Sequence, residues 1–389
     1  MKNTNVRYAN NSYTDFAKDL RKRVNAYFKE NKIEKSGNAE MYVKTIFMVL
    51  LYTIPFTLVL TNTFASFSMN FLMFIIMGFG MSGIGLSVMH DANHGSYSNN
   101  TTLNKWMSRI IYLVGGNPIN WQTQHNVLHH TYTNVEGLDQ DIDSVSLLRF
   151  SPHQKRKKIH KFQFLYAWAF YSLLTVSWMT AKEYVQLVGF NKKNLLDGQP
   201  KSLKRLFVEL TIAKILYFTV FLVTPMVLSE LPAWFIFVSF MCMHFVAGVV
   251  LAAIFQTAHV MPDNEFPLPN DDHKLDGNLL AHQLITTTNY AQGGKGFSWF
   301  VGGLNMQIEH HLFPNICHVH YRKISPIVKE VALKYNLPYY ARKTFLDAIK
   351  DHIKMLKYFG NHDDLPTNEH LMVPVNNKVD KNKDEFTLV

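Results

Sequence analysis

Two long stretches almost free of charge limit what this chain can fold into. Between Lys44 and Asp91 there is no Lys, Arg, Asp or Glu, and between Lys214 and Asp263 Glu230 is the only one. A helix needs about 20 apolar residues, at about 1.5 Å each, to cross a hydrocarbon core about 30 Å thick. Each stretch is therefore long enough for two crossings and reads as a helical hairpin. In the first, the polar turn from Thr61 to Asn70 separates crossings at 45–61 and 70–89. In the second, Ser229-Glu230-Leu231-Pro232 separates crossings at 207–228 and 233–258. Pro55 and Pro225 are expected to kink their helices, which membrane helices tolerate when neighbours satisfy the freed carbonyl. The fold class is thus an all-α integral membrane protein: four crossings in two hairpins, with the remaining segments forming a helical cap.

Charge sets the orientation. The 92–205 segment carries fourteen Lys and Arg, and the two hairpin turns carry none, so everything outside the hairpins is expected to face the cytoplasm. The net charge of +10 is accounted for by this bias and by anionic headgroups, without nucleic acid. The run Lys155-Arg156-Lys157-Lys158 reads as a solvated topogenic stretch in preference to a phosphate dock. Residues 1–44 are polar and charged, unlike a signal peptide, and 13–30 hold an amphipathic helix (Phe16, Leu20, Val24, Phe28) suited to the membrane surface or the cap. The uncharged, aromatic-rich run Phe162–Ala181 is long enough to span. It is expected to lie along the headgroups at 162–181 instead, because a fifth crossing would strand one histidine group on the wrong side. The membrane domain then runs over 45–360, and 361–389 is a polar tail expected to be disordered.

The eighteen histidines are not scattered. His90 and His94 form one group, His125, His129 and His130 a second, and His310 and His311 a third, preceded by Gln307; His259 ends the fourth crossing. Residues four apart share a helix face, so His90 with His94, and His125 with His129, are each expected to grip one ion. Ionisable groups at a membrane edge are costly and mark function. Zinc is satisfied by four ligands and has no redox chemistry, whereas this many imidazoles divide between two ions with open positions. The Glu-x-x-His pattern of soluble carboxylate-bridged di-iron bundles and the hydrolase pattern His-Glu-x-x-His are both absent. Redox iron in an all-histidine site remains.

The three boxes, their order between the two hairpins, and the strings HDANHGSYS and GGLNMQIEHHLFPNICHVHY resemble the membrane fatty-acid desaturases from about residue 40 to about residue 340. Gln307, where many relatives have His, is similar to the front-end desaturases, which place a new double bond on the carboxyl side of an existing one. The resemblance implies that His90, His94, His125, His129, His130, His259, His310 and His311 ligate two iron ions and that Gln307 acts in the catalytic site as a weak or indirect ligand. It also implies that O2 and two electrons are used to introduce a cis double bond into a long fatty-acyl chain. Asp139, Asp141 and Asp143 are placed to orient ligand imidazoles, or to form a solvated acidic loop.

Many front-end relatives carry a fused cytochrome b5 with a His-Pro-Gly-Gly motif. None occurs here, so a separate ferredoxin or cytochrome b5 is the expected electron donor, attracted by a basic cytoplasmic face. Cys242 and Cys317 are too few for a cluster or a disulfide framework. Composition and the missing fusion point to a bacterial inner membrane. The alternatives are a sister di-iron oxygenase, namely a fatty-acyl hydroxylase or a sphingolipid or carotenoid oxygenase, and a transporter; the latter would place its histidines mid-membrane, where only His244 lies.

Overall fold

The computed structural model describes residues 6–143, 146–199 and 201–366. Among them, four helices are long and apolar enough to cross a membrane. After the amphipathic helix α1 (Thr14–Glu30) come α2 (Ala39–Leu60) and α3 (Phe67–Asn93). The other two, Leu203–Leu228 and Ala233–His259, are labelled α7 and α8, because α4 (Thr101–Ser108), α5 (118–129) and α6 (163–192, broken at Leu173) precede them. Each span overlaps its expected crossing and extends past it at one end or both, although α2 ends at Leu60, one residue short of the expected 61. Helices α2 and α3 include Lys44 and Asp91, the charges that bounded the first stretch, since both are buried with partners.

Contacts between helices fix their directions. Gly80 faces Tyr52 and Gly83 faces Met48, so α2 and α3 are antiparallel. Phe67 packs on Phe235, Gly78 on Met243 and Gly85 on Leu251, so α3 and α8 run parallel and finish at the same end of the bundle. Two glycines allow this approach: a Cβ at Gly80 would lie 2.7 Å from the Tyr52 backbone nitrogen, and one at Gly78 2.7 Å from the Met243 carbonyl oxygen. Tyr217 on α7 meets Phe240 and His244 on α8, and because only residues 229–232 join these side-by-side helices, that pair is antiparallel too. Pro225 follows a widened turn at Thr219–Val223, which absorbs its disruption of α7.

The chain leaves α3 and enters α7 at the same end, so the intervening residues make no net crossing. The run expected at 162–181 is longer and less regular than expected. Its first half packs along α8, with Tyr171 and Ser172 against Gly248 and Thr175 donating to the His244 carbonyl. Its second half continues to Lys192 and meets α7 through Tyr184–Phe207 and the buried Glu183–Lys214 pair. The segment thus contacts both α8 and α7 on its inner side, while Phe162, Leu165 and Leu173 remain exposed on the other.

The remaining short helices cap the end where α3 and α8 finish: Leu279–Ile285 (α9), Lys295–Phe300 (α10), Gln307–Leu312 (α11), Tyr321–Lys334 (α12) and Phe345–Asn361 (α13). Helix α1 buries Phe16, Leu20, Val24 and Phe28 against α12 and α9, so its apolar face serves the cap and not a membrane surface. Two short parallel pairings, Arg7–Tyr8 with Lys274–Leu275 and Asn289–Tyr290 with Ala341–Arg342, tie distant cap segments together. Of the tail expected at 361–389, residues 367–389 lie outside the described residues.

Candidate metal centre

Every histidine in the boxes is delivered by the last turn of a helix or the residues just after it. Helix α3 presents His90, with His94 following its end, α8 ends at His259, and the last turn of α11 presents His310 and His311. Helix α5 ends in a widened turn over Thr123–His129, in which the His130 amide donates to the His125 carbonyl, five residues back, at 2.9 Å. Such turns shift side-chain register and recur at functional sites.

The side chains converge into two groups. His90, His94, His125 and His310 bring their ligand nitrogens within 4.8 Å of one another, and His129, His259 and His311 do the same. His130 lies between them: its Nε2 is 2.9 Å from His310 Nε2 and 3.2 Å from His125 Nε2, and it also groups with His310 and His311. His90 and His94 share a group as their spacing predicts. His125 falls in the first group and His129 in the second, yet their rings stack at 5.2 Å and both also approach Asp141 within the same distance, so the spacing of four does keep them on one face. Gln307 sits one turn before His310 and His311, fully buried, with neither amide atom partnered.

The imidazoles are held from behind. His129 Nδ1 lies 3.1 Å from both Asp139 oxygens and 3.4 Å from Asp141 Oδ2. His311 Nδ1 lies 2.7 Å from Gln283 Oε1, and His310 Nδ1 3.1 Å from the Tyr321 hydroxyl. The forward nitrogens are bare: Nε2 of His90, His94, His129, His259 and His311 is buried without a partner. A buried polar atom left unpaired is costly, so five in one cluster mark a place built for ions, and the donor set fits redox metals that accept imidazole. Burial, then the neighbouring imidazoles, hold His125, His130, His310 and His311 well below the usual histidine range, which keeps them neutral and ligand-competent. At His129 burial acts in the same direction but is outweighed by Asp139 and Asp141, which lift it to about 9.

Of the three aspartates singled out in the sequence, Asp139 and Asp141 reach the cluster and Asp143 does not, accepting from the Gly137 amide instead. Sequence reasoning missed Gln283, Tyr321 and Trp121, whose ring packs on His90, His94 and His125. It also missed Lys44 and His318, which reach the first box through Asp91. For His318 and Tyr321 the string running on from the third box was a signal; for the others no local pattern exists. His244, mid-helix in α8, is satisfied by Tyr217 and Thr175 and stands apart from the cluster.

A membrane-embedded helical bundle with a histidine-lined centre at one end defines a class of oxidising enzyme. The fatty acid desaturase family model matches residues 66–343, and the chain belongs to that family; it is an oxidoreductase, a desaturase acting on lipid. It is 33% identical over 359 residues to an sn-1 linoleoyl-lipid 6-desaturase of Arthrospira platensis, covering 92% of this chain and 96% of that one. It is also 33% identical to the sn-1 linoleoyl-lipid 6-desaturase of a Synechocystis species, over 89% and 95% of the two chains. An acyl-lipid (8-3)-desaturase of Physcomitrium patens is 33% identical over 92% of this chain and 74% of its own length.

Proposed function

We propose that this protein is a front-end acyl-lipid desaturase, inserting a cis double bond on the carboxyl side of an existing one in a chain still esterified to a membrane lipid. The names of the relatives, which share a third or so of their residues with nearly the whole chain, support the substrate class. Gln307 in the third box supports the front-end assignment.

His90, His94, His125 and His310 are assigned to one iron, and His129, His259 and His311 to the other, with His130 between them. The observation that carries this is the convergence of bare, buried Nε2 atoms. Bound iron supplies the O2-dependent oxidation: two hydrogens leave adjacent carbons, and O2 with two electrons and two protons becomes two waters. The protein's share is positional. Asp139, Gln283 and Tyr321 fix the ring orientations, Trp121 shields one side of the first group, and Gln307, whose buried amide has no hydrogen-bond partner, is assigned as a weak or indirect ligand. The electron donor is a separate ferredoxin or cytochrome b5, and the cap faces the cytoplasm of a bacterial inner membrane; the lysine- and arginine-rich 92–205 segment supports both.

The test is lipid analysis by gas chromatography–mass spectrometry of a host expressing the chain or its His310→Ala variant, fed C18 mono- and di-unsaturated acids. A new carboxyl-side double bond in glycerolipid, present only with the intact histidine, is the expected result. A hydroxylated product assigns the chain to a sister oxygenase, and a product confined to acyl-CoA overturns the acyl-lipid reading.

A further inference from the structure

Behind His90 a buried polar chain runs from the first histidine box to residues outside all three boxes. Lys44 Nζ lies 2.5 Å from His318 Nε2, His318 Nδ1 lies 2.7 Å from Asp91 Oδ2, and Asp91 Oδ1 faces His90 Nδ1 at 3.5 Å. Asp91 Oδ2 also accepts from the His318 amide at 3.2 Å and from Cys317 Sγ at 2.9 Å. All five side chains are buried, and Lys44 is further held over the Trp299 ring, 5.2 Å from its centre. Asp91, Cys317 and His318 have the composition of a metal site. Their polar atoms are already satisfied by one another, however, and an ammonium stands where a cation would be repelled.

An ammonium only donates, so His318 Nε2 must accept, and its proton must sit on Nδ1. That proton points at Asp91 Oδ2, which three donors now anchor. The free oxygen, Oδ1, is left to face Nδ1–H of His90, and His90 Nε2 is thereby turned, bare, into the first group. We propose that Lys44 and His318 are positioning residues for His90: acting through Asp91, they set the tautomer and orientation of one ligand of the first ion. The inference rests on the ligand assignment made above. It links α2, the end of α3 and the loop after α11, three segments far apart in sequence, to one of the two ions and not the other. His129, in the second group, has its own support in Asp139.

The test uses the full-length protein purified in detergent, stripped of metal and titrated with Co(II), read by visible absorption and calorimetry. Wild type is expected to bind two equivalents. Lys44→Met and His318→Leu should weaken one equivalent by about 10–100-fold, the usual loss when an outer partner of a ligand is removed, and leave the other unchanged. His318→Asn keeps a donor at the Nδ1 position and should stay close to wild type. Asp139→Asn should weaken the opposite equivalent, with a different spectral change. Removing Lys44 strands a buried aspartate; if that variant does not fold, the comparison of His318→Leu with His318→Asn decides alone. Two unchanged equivalents in His318→Leu, equal loss of both, or no rescue by Asn overturns the inference while leaving the ligand assignment intact. Fewer than two equivalents in wild type overturns the ligand assignment, and this inference with it.

Discussion

An imidazole that offers Nε2 to an ion needs its other nitrogen held, and the cluster shows unequal degrees of holding. His129 has a carboxylate at 3.1 Å and a second at 3.4 Å, whereas His259 Nδ1 has only the Thr286 carbonyl at 3.4 Å. Asp139→Asn is therefore expected to lower metal affinity at the second group by about 10–100-fold, measured as iron per protein after dialysis against a graded chelator; unchanged retention would show that the carboxylate does not orient His129. Gln307→His introduces a stronger ligand beside two existing ones, and should retain turnover at a reduced rate with full iron content, a milder result than His310→Ala. At this scale the histidine cluster was legible, because its spacing is local and its chemistry uncommon. Asp139 was legible only as one of three candidates. Gln283 and Lys44 were not, since each meets its partner across a fold whose packing no short window encodes, while His318 and Tyr321 stood in the third-box string without a role.

Among the helices, the absence of charge located all four crossings, and the errors lie where a charge is buried with a partner. Lys44 and Asp91 looked like helix ends and are helix interior. The same rule failed at 163–192, where Lys182 and Glu183 sit within continuous helix. At α5 the rings of His125 and His129 stack, as their spacing of four predicts, while also reaching different histidine groups. Helix α3 is the most constrained element, pressed between α2 and α8 with no room at Gly80. Gly80→Leu must push against the α2 backbone, which cannot yield as a side-chain tip can, and overpacking of this kind costs about 1–3 kcal/mol. A lower thermal midpoint in detergent, with loss of iron from both groups, is expected; a variant as stable as wild type would mean that α2 and α3 are not so closely packed.

For the whole molecule, the cap's attachment to the bundle should be sensitive to acid. His352 on α13 is buried between the Tyr171 hydroxyl at 2.7 Å and the Val260 carbonyl at 3.1 Å, and burial pushes it down to about 4. The unfolded chain takes up this proton near the ordinary value of about 6.5, so between about 6.5 and 4 the unfolded state binds more protons and stability falls as pH falls. His352→Gln should flatten that part of the melting-temperature profile, and an identical slope would clear His352 of the effect. The arrangement also requires 92–205 and 263–366 to lie on one side of the membrane. Single cysteines placed in each, in a background lacking Cys242 and Cys317, should label from the same face, and opposite labelling would require a fifth crossing through 163–192.

Delivery of the histidines from helix ends has an electrostatic consequence. Imidazole ligands bring no negative charge to a cation, unlike the carboxylates of soluble di-iron bundles. The backbone makes up part of the difference. A helix carries roughly half a negative charge at its C-terminus, and α3, α5 and α8 all point that end at the cluster. The field favouring cations at this centre is thus a property of chain direction, fixed by parallel packing of α3 on α8, and it persists through any substitution that leaves those helices in place.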